Sequence, residues 1–218
     1  ARREEPLKKL QSQFPELILP LALDVTDKTA TQNFLGQLPV EWKSIDVLVN
    51  NAGLAVGLDP IHKGVLEDWE RMIDTNVKGL LYVTRVVSPS MVARKSGHVI
   101  NIGSIAGKDV YPNGVVYCAT KHAVDALSKG MRMDFLPYNI KVTQICPGAV
   151  ETEFSLVRFK GNQDRADQVY IGFDNLVADD IAEAVHYAVS QPAHVDIQDM
   201  LVMPTAQASG SLIHKEIK

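Results

Sequence analysis

The chain has 218 residues, of which 46% are hydrophobic, and its 22 Lys and Arg against 26 Asp and Glu give a formal net charge of −4. That size and balance suit one globular domain with ample core; the lack of a basic tract argues against nucleic acid as a partner, and no apolar run is long enough to span a membrane. Cys118 and Cys146 are not spaced as a metal site or redox pair and the six His are scattered, so buried, reduced thiols in a cytoplasmic protein without a metal are expected.

In chain order, a strand is predicted at Ile18 to Leu23, a helix at about 27 to 38, a strand at Asp46 to Asn50 and a long helix at 66 to 94. A strand at Val99 to Ile102, a helix at 115 to 136 and a strand at Lys141 to Cys146 follow. The least regular stretch, 151 to 178, is expected to form a flap over the sheet's carboxyl edge, before a helix at 179 to 190 and a last strand at Met200 to Met203. Most of the strands are apolar enough to be buried on both faces. Such alternation predicts an α/β fold, a doubly wound parallel sheet in three layers. No repeat, low-complexity tract or linker interrupts it, so residues 1–218 read as one domain.

Three features carry chemistry. Trp69, Ile73, Asn76, Leu80, Val83, Val87 and Met91 follow a helical repeat, which places the carboxamide of Asn76 inside an apolar stripe. There it must either bond to backbone or serve a function. Ser104 follows an apolar β-type run, His98 to Ile102, at the carboxyl end of a strand where open parallel sheets bind ligands; a turn or cap serine would look the same. Thirteen positions on, Tyr117 and Lys121 lie four apart and share a helix face. A neighbouring ammonium is expected to lower the phenol's pKa toward the range of a general acid or base, although the same spacing occurs on ordinary helix surfaces.

Asn50-Asn51-Ala52-Gly53, Asn76 in Asp-Thr-Asn-Val-Lys-Gly, Ser104 in Asn-Ile-Gly-Ser, Tyr117 with Lys121, and Pro147-Gly148 with Thr152 occur in that order. With these motifs the chain resembles the short-chain dehydrogenase/reductase family over nearly its whole length. The resemblance implies a Rossmann-type domain with Tyr117 as proton donor or acceptor. Ser104 would orient the carbonyl or hydroxyl, Lys121 would tune the tyrosine and hold the ribose, and Asn76 would anchor a relay water. Asn50, Ala52, Gly53, Pro147, Gly148 and Val150 would lie along the cofactor, Thr152 would bond the nicotinamide amide, and Asp24 and Val25 would frame the adenine. For Asp24 a turn or helix-cap role before Asp27 remains equally open.

The stretch Glu151 to Gly161 and the late Pro204-Thr205-Ala206-Gln207-Ala208-Ser209 are similar to NADP-dependent 3-hydroxy acid dehydrogenases that also oxidise serine. The resemblance implies NADP as cofactor, with Arg2, in preference to Arg3, on its extra phosphate. A carboxylate substrate such as 3-hydroxypropionate or serine needs a cation, and Arg158 in the flap is the candidate; Lys160, or a surface pairing of Arg158 with Glu153, are the alternatives. Larger carbonyl substrates are a second reading of function, and a non-catalytic dinucleotide-binding module a third. The glycine-rich βαβ unit that the resemblance places ahead of Arg2 is expected to precede Ala1; without it neither stable folding nor NADP binding is expected. Apolar residues on several helix sides, Leu81, Tyr82, Met131 and Met133, imply a homotetramer.

Overall fold

The computed structural model describes residues 1–216. Its centre is a four-stranded sheet, β1 (Val47–Asn50), β2 (Gly97–Ile102), β3 (Ile140–Pro147) and β4 (Asp199–Val202), ordered as in the chain and parallel throughout. Parallel neighbours need crossovers, and helices supply them. The helices are α1 (Glu4–Gln13), α2 (Lys28–Gln37), α3 (Leu66–Ile73), α4 (Leu80–Arg94), α5 (Val115–Phe135), α6 (Phe154–Arg158), α7 (Gln163–Tyr170) and α8 (Ala178–Val189). Side chains alternate across each strand, which makes two apolar layers. Val99 and Val142 pack with Phe34, Leu80, Val87, Met91, Val124 and Met131 beneath α2, α4 and α5. Ile100 and Ile145, one step along, pack with Ala184 and Ala188 of α8 on the other side. The three-layer α/β architecture predicted above is therefore present.

Two expectations need correction. Ile18 to Leu23 forms no strand. Only Ala1 stands beside it: the Leu23 N–H donates to the Ala1 carbonyl at 2.9 Å and the Ala1 ammonium to the Leu21 carbonyl at 3.4 Å. That pattern is a single rung of parallel pairing, too little for a ladder. The predicted helix over 66 to 94 is divided by a π-helical turn, Asp74–Gly79, between α3 and α4. Such wide turns interrupt α-helices most often at functional sites, and Asn76 sits inside this one.

Stretch 151 to 178 is more regular than expected, because α6 and α7 form within it. Its two ends are clamped together by a bridge between Val150 and Leu176, so the segment leaves and rejoins the body at one place. The Tyr170 hydroxyl donates to the Val150 carbonyl at 2.9 Å and accepts from Ser155 at 2.7 Å, tying α7 to α6. Met131, expected at an interface, is buried in the core, whereas Met133 is 75% exposed.

Met91 is fully buried under β2. Met91→Ala should cost about 2–5 kcal/mol of stability, read from the denaturant midpoint, since the surrounding strands relax only partly into the cavity.

Candidate active site

Four of the residues singled out by sequence meet at the carboxyl ends of β1 and β2, and all are buried: Asn76, Ser104, Tyr117 and Lys121. Each is fixed by an identifiable contact. Within the π turn, the Asn76 carboxamide accepts from the Leu54 N–H and donates to the Leu54 carbonyl, both at 2.8 Å, and donates its second hydrogen to the Thr120 hydroxyl at 3.0 Å. The loop after β1, the π turn and α5 are thereby joined at one amide. Both amide hydrogens and the oxygen of this side chain are engaged. Ser104 ends in extended backbone and its Oγ accepts from the Ala106 N–H at 3.1 Å, capping a short 3-10 turn over Ile105–Gly107. Its hydroxyl hydrogen remains available toward Tyr117.

Lys121 lies with its Nζ 6.0 Å from the centroid of the Tyr117 ring and donates to the Ile102 carbonyl, at the end of β2, at 2.9 Å. Burial without a carboxylate partner pushes its pKa down to about 8. The phenol moves the opposite way. Burial holds the Tyr117 pKa well above the usual tyrosine range, against a downward pull from Arg158 and from the Ser104 hydroxyl. The cation whose charge pulls hardest on the phenol in this arrangement is Arg158.

Arg158 is no surface arginine. Its guanidinium lies 5.1 Å from the centroid of the Tyr117 ring, 5.2 Å from Phe154 and 5.7 Å from Tyr111, and donates to the Tyr111 hydroxyl at 2.6 Å. Its Nε is buried without a partner. The backbone of Arg158 accepts from the Gly57 N–H at 2.9 Å, which fastens α6 to the loop after β1. Beside Tyr117 and Arg158 lies a cavity of about 20 Å³ that also touches Asp68, Trp69 and Met72. The alternatives for these cations resolve differently from expectation: Glu153 pairs with Arg3 at 2.5 Å, and Lys160 with the buried Asp68 at 2.7 Å. Nothing in the sequence signalled Tyr111, whose role follows only from where the turn before α5 places it.

The residues expected along a cofactor divide. Gly53 borders the Lys121 ammonium, and a Cβ there would stand 3.5 Å from both Lys121 Nζ and Asn76 Oδ1, filling the cradle above them. Asn50 turns its amide nitrogen inward, donating to the Thr84 hydroxyl at 3.0 Å and to the Asn101 carboxamide oxygen at 2.9 Å. Gly148 is required by the protein itself, because a Cβ would fall 2.4 Å from Gln207 Oε1 and 2.9 Å from Met203 Sδ. Gln207, missed as a site residue although its segment was noticed, accepts from the Ala149 N–H at 2.8 Å and so pins the loop after Pro147. Val150 is held in the bridge to Leu176, and the Thr152 hydroxyl accepts from the Phe154 N–H at 3.3 Å. Ala52 is exposed beside Gly53. Asp24 takes the turn role: it accepts from the Thr26 N–H at 3.0 Å and the Thr26 hydroxyl at 2.8 Å. Val25 packs against Gly79 of the π turn. Arg2 lies 4.0 Å from Asp24 with a 65% exposed side chain.

Burial of the Lys121 charge has a thermodynamic signature. The group titrates near 8 in the fold against 10.5 in the unfolded chain, so between those values the unfolded state binds more protons and stability rises with pH. Lys121→Met should therefore be more stable than the parent below pH 8, by at most on the order of 3 kcal/mol, with the difference shrinking toward pH 10. Denaturant titrations of the two proteins across that range test this.

Comparison with known proteins agrees with the architecture. The family described as short chain dehydrogenase matches residues 1–163. The NADP-dependent 3-hydroxy acid dehydrogenase YdfG of Salmonella typhi is 48% identical over 216 residues, 98% of this chain and 87% of the relative. Serine 3-dehydrogenase of Rhizobium radiobacter is 42% identical over 216 residues, 99% of this chain and 86% of the relative. A structure of the closed form of serine dehydrogenase complexed with NADP+ superposes with a TM-score of 0.94 at 46% identity, covering 99% of this chain and 88% of that one. With its fold, its ordered motifs and these likenesses in agreement, the chain belongs to the short-chain dehydrogenase family.

Proposed function

We propose that the protein transfers a hydride between NADP(H) and a small 3-hydroxy acid, with 3-hydroxypropionate and serine as the candidate substrates. The observation that carries this reading is Arg158, a guanidinium stacked on Tyr117 with a buried, unpaired Nε, placed where a substrate carboxylate could meet it. Relatives named for NADP-dependent oxidation of 3-hydroxy acids and serine support the same class.

The residues present fit the cofactor. Lys121 is a buried ammonium with one acceptor among the described residues, leaving donors for ribose hydroxyls, and Gly53 keeps the space above it open. Thr152 and the loop Pro147–Val150 would meet the nicotinamide end. Arg2, uncommitted apart from its distant approach to Asp24, is better placed than the paired Arg3 for the extra phosphate. When bound, the cofactor supplies the hydride donor or acceptor. Tyr117 and Ser104 would then hold the substrate oxygen between two hydroxyls. As negative charge builds there during reduction, Ser104 stabilises it and Tyr117 gives up its proton. A phenol kept neutral by burial is well suited to that donation; in oxidation the cations Lys121 and Arg158 must offset the same burial for Tyr117 to accept a proton as a base.

Exposed apolar groups on α4 and α5, Leu81 at 38% and Met133 at 75%, favour a homotetramer, for which size-exclusion chromatography is the measure. The two buried free thiols accord with a cytoplasmic setting, and no described helix is long and apolar enough to cross a membrane.

The reading is tested by following NADPH absorbance with 3-hydroxy acids, serine, neutral alcohols and the matching carbonyls. Tyr117→Phe should lower kcat by about 10²- to 10⁴-fold, the usual range for a lost acid or base. Arg158→Ala should raise KM for 3-hydroxy acids by roughly tenfold or more, as expected for a lost charged hydrogen bond, while KM for neutral alcohols stays level. Bound NADPH with no turnover across the panel would favour a dinucleotide-binding module.

A further inference from the structure

The 3-10 turn that begins at Ser104 ends at Gly107, and the next side chain enters a cluster of charges. Lys108 Nζ donates to Asp125 Oδ1 of α5 at 2.5 Å and to Asp199 Oδ2 at the start of β4 at 2.6 Å. Asp125 lies one helical turn beyond Lys121 and two beyond Tyr117 on the same helix, and its other oxygen accepts from Lys129 at 2.6 Å. Gln144 of β3, fully buried below, turns its amide nitrogen to both carboxylates, at 2.9 Å from Asp125 and 3.2 Å from Asp199. The cluster is shielded: the Lys108 side chain is 27% exposed and that of Asp125 only 13%. Burial opposes the charge on Lys108, yet the two carboxylates more than offset it and hold the ammonium above the usual lysine range. A second contact brings the same turn and helix together. A Cβ on Gly107 would meet the Lys121 carbonyl oxygen at 2.6 Å, so the turn lies directly on the backbone of α5 at Lys121.

We infer that Lys108 is a positioning residue, a clamp that draws the Ser104 turn, the Tyr117 and Lys121 helix, and β4 into the register in which the Ser104 and Tyr117 hydroxyls share one substrate oxygen. This rests on the functional reading above. The physical basis is the balance of charge. Asp125 and Asp199 touch the same ammonium, and without it two carboxylates confront each other across the joint between α5 and β4. Repulsion there would move α5 relative to the turn, and displacements of about 1 Å at a reacting centre can cost roughly a hundredfold in rate. Gly53 and the adenosine side of the cradle lie outside the cluster, so cofactor affinity should be little affected.

The test is a double-mutant cycle on kcat with NADP+ and the best substrate of the panel, together with NADPH binding by fluorescence. Lys108→Met should lower kcat about 10- to 100-fold, with the NADPH Kd unchanged within about threefold, and Lys108→Arg should recover much of the loss. Added to Ser104→Ala, Lys108→Met should cost less than about threefold more, because its effect acts through Ser104. An unchanged kcat in K108M, or a loss that multiplies fully in the S104A background, overturns the clamp. If S104A and Tyr117→Phe themselves leave kcat intact, the functional reading fails instead. Should K108M not fold, K108Q, which also removes the ammonium and leaves the two carboxylates facing each other, is read through the same cycle with the same two outcomes.

Discussion

The Asn76 carboxamide is the joint on which this site is built. One amide bonds both backbone groups of Leu54 and the hydroxyl of Thr120, and Thr120 donates to the Tyr117 carbonyl at 2.7 Å. The loop after β1 and the helix after β2 are distant in sequence, and packing alone would leave their relative height free to slide. A fully bonded buried amide has one satisfactory arrangement, and the cost of leaving any of its groups unpaired enforces it. The π turn makes this possible by aiming position 76 toward Leu54, off the course of the stripe shared with Val87 and Met91. With that joint in place, Gly53 is brought against Lys121, and the ammonium and phenol lie on the same wall.

Electrostatics at this wall is a contest between desolvation and proximity, and desolvation wins for both principal groups. Lys121 loses affinity for its proton because it is buried, with a neutral carbonyl as its hydrogen-bond partner among the described residues; Tyr117 gains affinity because its ring is enclosed by Phe154, Tyr111 and the flap. Both shifts favour the uncharged form of the group. Arg158 is the counterweight. Its guanidinium lies 5.1 Å from the centroid of the Tyr117 ring, close enough to favour phenolate. The aromatic cage that holds it is also what restricts its choice of partners.

Much of the fold was legible because strand and helix periods differ. The run at Ile140 to Pro147 is buried along nearly its whole length, as parallel strands between helix layers are. Asn76, Ser104, Tyr117 and Lys121 were legible because their spacing and residue types were together unusual. Three things were not. Ile18 to Leu23 has strand composition, but a strand is a property of a pair and its pairing is not written in its own residues. The π turn was not legible in the apolar repeat, and it moves the buried face of α3 by one residue, so that Met72 is buried while Ile73, placed in the stripe by the pattern, is 41% exposed. The environment of each charge also escaped: Arg158 next to Glu153 in sequence says nothing of Tyr111 forty-seven positions away, and Asn50 reads as a ligand-facing residue until Thr84 and Asn101 are seen on its amide.

The segment between β3 and α8 is fastened to the body by bonds of two different kinds. At its rim is the exposed Arg3 and Glu153 pair; further in are the Lys160 bond to the buried Asp68, the hydrogen bond from Gly57 to Arg158 and the aromatic contacts of Arg158. Exposed ion pairs are weakened by dissolved salt, whereas buried stacking is not. Ionic strength therefore acts on the rim and leaves the inner latch alone, so that salt should loosen the segment's edges before it frees Arg158. Exchange of molecules with the solvent and retention of Arg158 against Tyr117 are thus governed by separate physical variables, and traffic through the site can be regulated without dismantling its charge arrangement.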